Sequence, residues 1–445
     1  LLVCAPLVYS INKSLYGVRT RVRRVRRSAV LMRGGMLMVA LGSWAAGLPP
    51  SSACSCVPSS LCRPLRPQPP PRREQQVFLE GMIYNGSANN GGYGVWPWHS
   101  GVTSVVVFGS GNDTEAAFDQ IVCEAHRHGA RAILPCGVPR IDATDNLSSP
   151  AFRRQWVASS VDWMWGGASN PKPRGGGGWD GCNLDIENPD LGARAGLTEL
   201  VKELKTAMQN RVPGSHLTFD ASPDPRTDHS RHMVFNYSAL AEHVDYFVPC
   251  YYDMQTRVAC KRRSSGCSLP SPNSPLDAVR AGLAHYLGEL HTDPSTIIMA
   301  VPFYGYDVPC RAGGSSSNCV LPSVASGSGA GSAPALARQQ AGAGGPMLGA
   351  VTVGYGTILN ELLPLADSRG VQWNESAASP YFDYPNATTG LRHRVYYDNP
   401  RSITAKRELA QRLGLGGVSV WTADALPHST HPAAAREMWE AISLL

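Results

Sequence analysis

Eight short, mostly apolar runs separated by helix-like stretches constrain this chain more than any other feature of its sequence. They are QVFLEGM (76–82), TSVVVFG (103–109), ARAILPC (130–136), GCNLDIE (181–187), HLTFDAS (216–222), DYFVPCYY (245–252), TIIMAVPFYG (296–305) and GGVSVW (416–421). Several are nearly continuous in apolar residues, as strands covered on both faces must be. Between them, EAAFDQIVCEAHRHG (115–129), LTELVKELKTAMQNR (197–211) and LDAVRAGLAHYLGEL (276–290) carry apolar residues at helical spacing. Eight such alternations predict an α/β chain closed into a TIM (β/α)8 barrel. The interval from strand seven to strand eight far exceeds one helix, so a small inserted subdomain is expected there.

The expected organisation is a basic leader and signal-like segment at 1–53 and a Cys/Pro-rich segment at 54–75. Barrel strands one to seven follow at 76–305, then the inserted subdomain with a Gly/Ser/Ala-rich loop at 306–402, then strand eight with flanking helices at 403–445. At 445 residues, 43% apolar and 17% charged, the chain can bury a sizeable core. Its net charge of +6 is concentrated at one end, because residues 1–53 hold eight Lys and Arg and no acids. Subtracting these eight leaves −2, so nothing in the body points to nucleic acid.

The basic residues precede the apolar MLMVALGSWAAGL (36–48), which is too short to span a bilayer, and small residues ending at Ala53. This predicts secretory entry, with Met32 and Met36 as candidate starts, a lysosomal, vacuolar or extracellular destination, and no membrane span in the mature chain. Eleven Cys follow Ala53, and Asn85, Asn112, Asn146, Asn236, Asn374 and Asn386 head glycosylation sequons. Cys310 with Cys319, and Cys260 with Cys267, are spaced as short disulfide loops. The spacings of a zinc or metalloprotease site do not occur, so no metal or cofactor is expected.

The run GGGGWDGCNLDIENPD (175–190) carries the chemistry. Cys182, Leu184 and Ile186 alternate with Asn183, Asp185 and Glu187, so a strand would turn one set toward a helical layer and the other inward. Burying two acids is costly unless they are paired or used. At the C-terminal end of barrel strand four they would line a catalytic mouth.

DGCNLDIE resembles the D-G-x-D-x-D-x-E signature of the family 18 glycoside hydrolases, the chitinase family. Asn183 departs from the usual central Asp but matches the chitobiase branch, which reads D-G-I-N-I-D-I-E. Similarity to that branch continues in order through CSCVPSSLCRPLRP (54–67), GARAILPCG (129–137), PAFRRQW (150–156), LTFDASP (217–223), NYSALAEHVDYFVPCYYDMQ (236–255), VPFYGYDVPC (301–310) and YYDNPRSI (396–403).

The resemblance implies that Glu187 donates the proton to the glycosidic oxygen and that Asp185 orients the substrate's N-acetyl group. Tyr252 would bond the acetamido oxygen, Asn183 and Asp253 would bind substrate, and Trp421 would floor the cleaved sugar. It implies retaining, substrate-assisted hydrolysis of β-1,4 bonds between N-acetylglucosamine units, an exception to the two-carboxylate scheme of most glycosidases. The substrates would be N-acetylglucosamine oligosaccharides, either the chitobiose core of N-glycans or chitin fragments, taken by a monomer.

Two departures stand out. Cys250 occupies the place of the family's usual Met, which predicts a less well-shaped sugar pocket, and strand five lacks the Trp that chitobiases carry before Ser-Pro. The rival reading is an inactive carbohydrate-binding lectin, although such proteins typically lose the catalytic Glu. VVVFGSGNDTEAAF (105–118) has a G-x-G but Thr114 in place of the third glycine, a weak dinucleotide signal. Asp180 is expected to support strand structure, and His126 and His128 to be solvated helix-end residues.

Overall fold

The computed structural model describes Cys56 and residues 59–65, 73–79, 96–108, 115–136, 147–186, 194–226, 235–254, 270–310, 319–320 and 350–443. All eight expected strand positions carry strands. β1 (Glu74–Leu79), β2 (Ser104–Val107), β3 (Arg131–Pro135), β4 (Gly181–Leu184), β5 (His216–Ala221) and β6 (Tyr246–Pro249) pair in parallel and in chain order. On the other edge β1 pairs with the last strand of the chain, Gly417–Trp421, which in turn pairs with β7 (Ile298–Pro302). Parallel bridges Phe247–Ile297 and Cys250–Ala300 join the β6 and β7 segments and close the ring.

Period-two alternation sorts the side chains. Val77, Val105, Ala132, Cys182, Phe219, Phe247, Met299 and Val420 point outward into the layer shared with the helices. Phe78, Val106, Ile133, Val248, Ile298 and Trp421 point into the barrel. The outer layer includes helices α1 (Glu115–Arg127), α2 (Pro150–Trp165) and α3 (Arg194–Arg211). In α2, Ser149 caps the N-terminus and Pro150 starts the helix, the positions these residue types favour.

The insertion announces itself at Phe303. The run read as one strand at 296–305 splits there: β7 stays in the barrel, while β8 (Tyr304–Pro309) leaves it for a second sheet. That sheet is antiparallel and includes β9 (Val351–Gly354), β10 (Gln372–Asn374), β11 (Ser379–Asn386) and β12 (Leu391–Tyr396), in the order β10-β11-β12-β8-β9. The last barrel strand, Gly417–Trp421, is therefore β13. Helices Pro400–Arg412 and Pro432–Ile442 flank it.

Disulfides join Cys56 to Cys123, Cys136 to Cys182, and Cys310 to Cys319. The last is the short loop expected from spacing. Cys260 and Cys267 lie outside the described residues.

Candidate active site

The opening residues of the motif are structural. Asp180 is buried and accepts from Leu65 N (2.6 Å) and Ala132 N (2.7 Å), and it bonds His126 Nε2 at 2.8 Å. His126 Nδ1 donates to Leu61 O at 2.7 Å. His126 is thus not the solvated helix-end residue that its place in α1 suggests. Being 5% exposed, it clamps the N-terminal segment onto the barrel through Asp180. Burial alone would lower its proton affinity, but the hydrogen bond and charge of Asp180, helped by the Leu61 carbonyl, outweigh burial and raise it. His128 follows expectation: it is exposed, bonded to Glu124 at 3.1 Å, and stacked on Trp98.

Gly181 comes next because nothing larger fits. A Cβ there would lie 1.9 Å from His216 O on β5. Upstream, Gly175, Gly176 and Gly177 adopt positive φ (59°, 58° and 77°), bringing the chain from α2 to β4 over the fully buried Trp179.

From Cys182 onward β4 alternates as read from sequence. Cys182, Leu184 and Ile186 lie in the outer layer with α3, and Cys182 Sγ sits 3.6 Å from Met208 Sδ. Asn183 faces the barrel interior, where its Nδ2 donates to Thr218 Oγ1 and Asp220 Oδ1, each at 2.9 Å. Asp185 follows two residues further along that face and is half-buried. Glu187 lies outside the described residues.

Tyr252, two residues beyond Cys250 on the continuation of β6, is 2% exposed and packs with the interior set. Its ring lies 6.1 Å from Tyr304 and 6.2 Å from Trp421. Trp421 ends β13, and Phe78 (5.3 Å) and Phe108 (5.1 Å) pack against it. Phe78, Phe108, Trp421 and Tyr252 thus form an aromatic wall at the same end of the barrel as Asp185.

Asp253 is the most constrained acid of the group. Its backbone takes φ 54°, a region that Asp tolerates better than most residues, and its N–H donates to Asn273 Oδ1 at 2.6 Å. Both Tyr304 and Tyr306 donate their hydroxyls to Asp253 Oδ1. Its buried Oδ2 has no partner among the described residues. Burial raises the proton affinity of this carboxyl, and the two tyrosine donors oppose that rise. Burial and the facing carboxylate push both tyrosines well above their ordinary range.

Cys250 is not a free thiol. It is fully buried in the inward-facing cluster and disulfide-bonded, which ties down the end of β6. Sequence reading missed Asp220, Asn273, Tyr304 and Tyr306. The two tyrosines were legible in part, since YGYDVP alternates in period two, but the site they reach is set by the break at Phe303.

Acids and aromatics gathered at the C-terminal mouth of a closed parallel barrel occupy the place where barrel enzymes hold their active sites. Sequence comparison specifies which kind: residues 104–425 match the glycosyl hydrolases family 18, and the chain belongs to that family and is a glycosidase. It is 30% identical over 400 residues to di-N-acetylchitobiase of Rattus norvegicus, spanning 87% of this chain and 92% of that one. To the Homo sapiens di-N-acetylchitobiase it is 29% identical over 405 residues, spanning 87% and 88%. Among solved structures, a group II chitinase catalytic domain from Ostrinia furnacalis shares the fold, with TM-score 0.59 and 18% identity over 84% of this chain and 97% of that one.

Proposed function

We propose that this glycosidase hydrolyses β-1,4 bonds between N-acetylglucosamine units with retention, using the substrate's own acetamido group as nucleophile. The observation that carries this reading is the joint placement of Asp185, Tyr252 and Trp421 at one barrel mouth. Glu187, two residues beyond Asp185, is assigned as the acid by its place in the motif. It protonates the glycosidic oxygen while the 2-acetamido carbonyl oxygen attacks C1, and the C1–O bond to the leaving sugar breaks. Asp185 stabilises the resulting oxazolinium ion, and Tyr252 holds the acetamido oxygen in line. Water then attacks C1 and gives its proton to the Glu187 carboxylate, which regenerates the acid and reopens the ring. Asp253 binds sugar hydroxyls through Oδ2, and Trp421 supports the apolar face of the cleaved ring.

Likeness to the di-N-acetylchitobiases favours release of a single reducing-end sugar, from the chitobiose core of N-glycans or from chito-oligosaccharides. The disulfides favour an oxidising compartment on the secretory route. Among the described residues no helix is long and apolar enough to cross a membrane. The protein is expected to act as a monomer.

The test is product analysis with chitotriose in its free and borohydride-reduced forms, beside Glu187→Gln. Release of reducing-end N-acetylglucosamine from the free form only, lost at least about 10²-fold in the variant, is the expected result. Cleavage of both forms would assign ordinary chitinase action instead. Binding without turnover would leave a lectin.

A further inference from the structure

We propose that Asp220 is the positioning carboxylate for Asp185, replacing from the neighbouring strand the acid that β4 lacks at Asn183. The inference rests on the assignment of Asp185 under Proposed function and deepens it.

The register of β4 on β5 runs Gly181–His216, Cys182–Leu217, Asn183–Thr218 and Leu184–Phe219. Carried one step past the end of β4, the same register would set Asp185 beside Asp220, with strands about 5 Å apart. Period-two alternation places Thr218 and Asp220 on one face of β5, and Asn183 establishes which face. Its Nδ2 donates to Thr218 Oγ1 and Asp220 Oδ1, both at 2.9 Å. Asp220 is wholly buried and Asp185 half-buried.

Asn183 therefore cannot supply a charge, but its amide fixes the one on Asp220. Carboxylates on one face of adjoining strands compete for ionisation, the more so where water is scarce. Held by Asn183, the Asp220 carboxylate keeps Asp185 oriented toward the positive charge that develops at the substrate's acetamido group. Where the family signature has an acid at position 183, this chain has Asn183 hydrogen-bonded to an acid on the neighbouring strand.

The experiment measures chitotriose hydrolysis by three variants of the full chain. Asp220→Asn keeps size and hydrogen-bonding capacity but removes the charge. It is expected to lower kcat about 100-fold while KM changes less than about threefold. The double variant Asn183→Asp with Asp220→Asn returns the acid to β4 and is expected to recover kcat to within about tenfold of the parent. A residue needed only for folding would not be rescued by moving its charge to another strand. Glu187→Gln serves as the control.

An inactive control beside an unimpaired Asp220→Asn overturns this proposal and leaves the functional reading standing. A double variant that stays inactive or misfolds also overturns it. Undiminished turnover by Glu187→Gln would sink the functional reading and this proposal together.

Discussion

Asp253 keeps its carboxylate in place with donors drawn from two directions. Asn273 holds its backbone N–H, while Tyr304 and Tyr306 reach its Oδ1 from the strand that has just left the barrel. Asn273 Nδ2 in turn donates to Tyr304 O at 3.3 Å, so the clamp closes on itself. Removing one tyrosine hydroxyl leaves a buried carboxyl oxygen short of a donor, which costs about 1–3 kcal/mol. If Asp253 binds sugar equally in the ground and transition states, Tyr304→Phe raises KM about tenfold with kcat nearly unchanged. Steady-state kinetics on chitotriose checks this, and a loss confined to kcat would instead place Asp253 in the chemical step. The alternation that put Asn183 and Asp185 on one face was legible in seven consecutive residues. The Asp253 clamp was not, because its members come from three segments that meet only after folding.

At the scale of elements, β4 is held by close approach on one side and a covalent bond on the other. Gly181 lets β5 come within pairing distance, and Cys136–Cys182 ties the residue after β3 to β4. A methyl at Gly181 meets backbone rather than a movable side chain, so the strands must separate. Gly181→Ala is expected to destabilise the protein by about 3 kcal/mol or more, read as a lowered melting temperature or loss of soluble protein. An unchanged melting temperature would show that the β4–β5 spacing is looser than described. The strands themselves were readable because each is a local run of apolar residues. The second sheet was readable only as an interval too long for one helix, since its short strands mix polar and apolar residues and find their order through pairing.

Two of the buried histidines, His126 and His428, tilt the stability of the molecule with pH in opposite senses. His126 has its proton affinity raised above the ordinary 6.5 by Asp180, so its contribution is complete below pH 6.5 and is lost as pH rises through the folded value. Burial lowers His428 from 6.5 to about 4, so its contribution is complete above pH 6.5 and is lost as pH falls toward 4. The His428 effect reaches about 3 kcal/mol at the acid end. Melting temperatures between pH 4 and 8 should form a dome, with His428→Gln shallowing the acid limb, to which buried His216 also contributes, and His126→Asn shallowing the alkaline one. A His126→Asn protein that keeps the alkaline decline would place its cause elsewhere.

By itself, the sequence determined the class of fold, the inward face of β4 and the family, because each is written in residues close together along the chain. A barrel strand must alternate or run apolar to be buried at all, and the motif occupies one such strand. Only the tertiary structure decided that His126 pairs with Asp180, that Asn183 bonds Asp220, and that two tyrosines of the departing strand hold Asp253. Those contacts join residues 37 to 54 apart. They depend on strand register and on where one strand leaves the barrel, and register is fixed by the packing of the whole ring rather than by any local pattern.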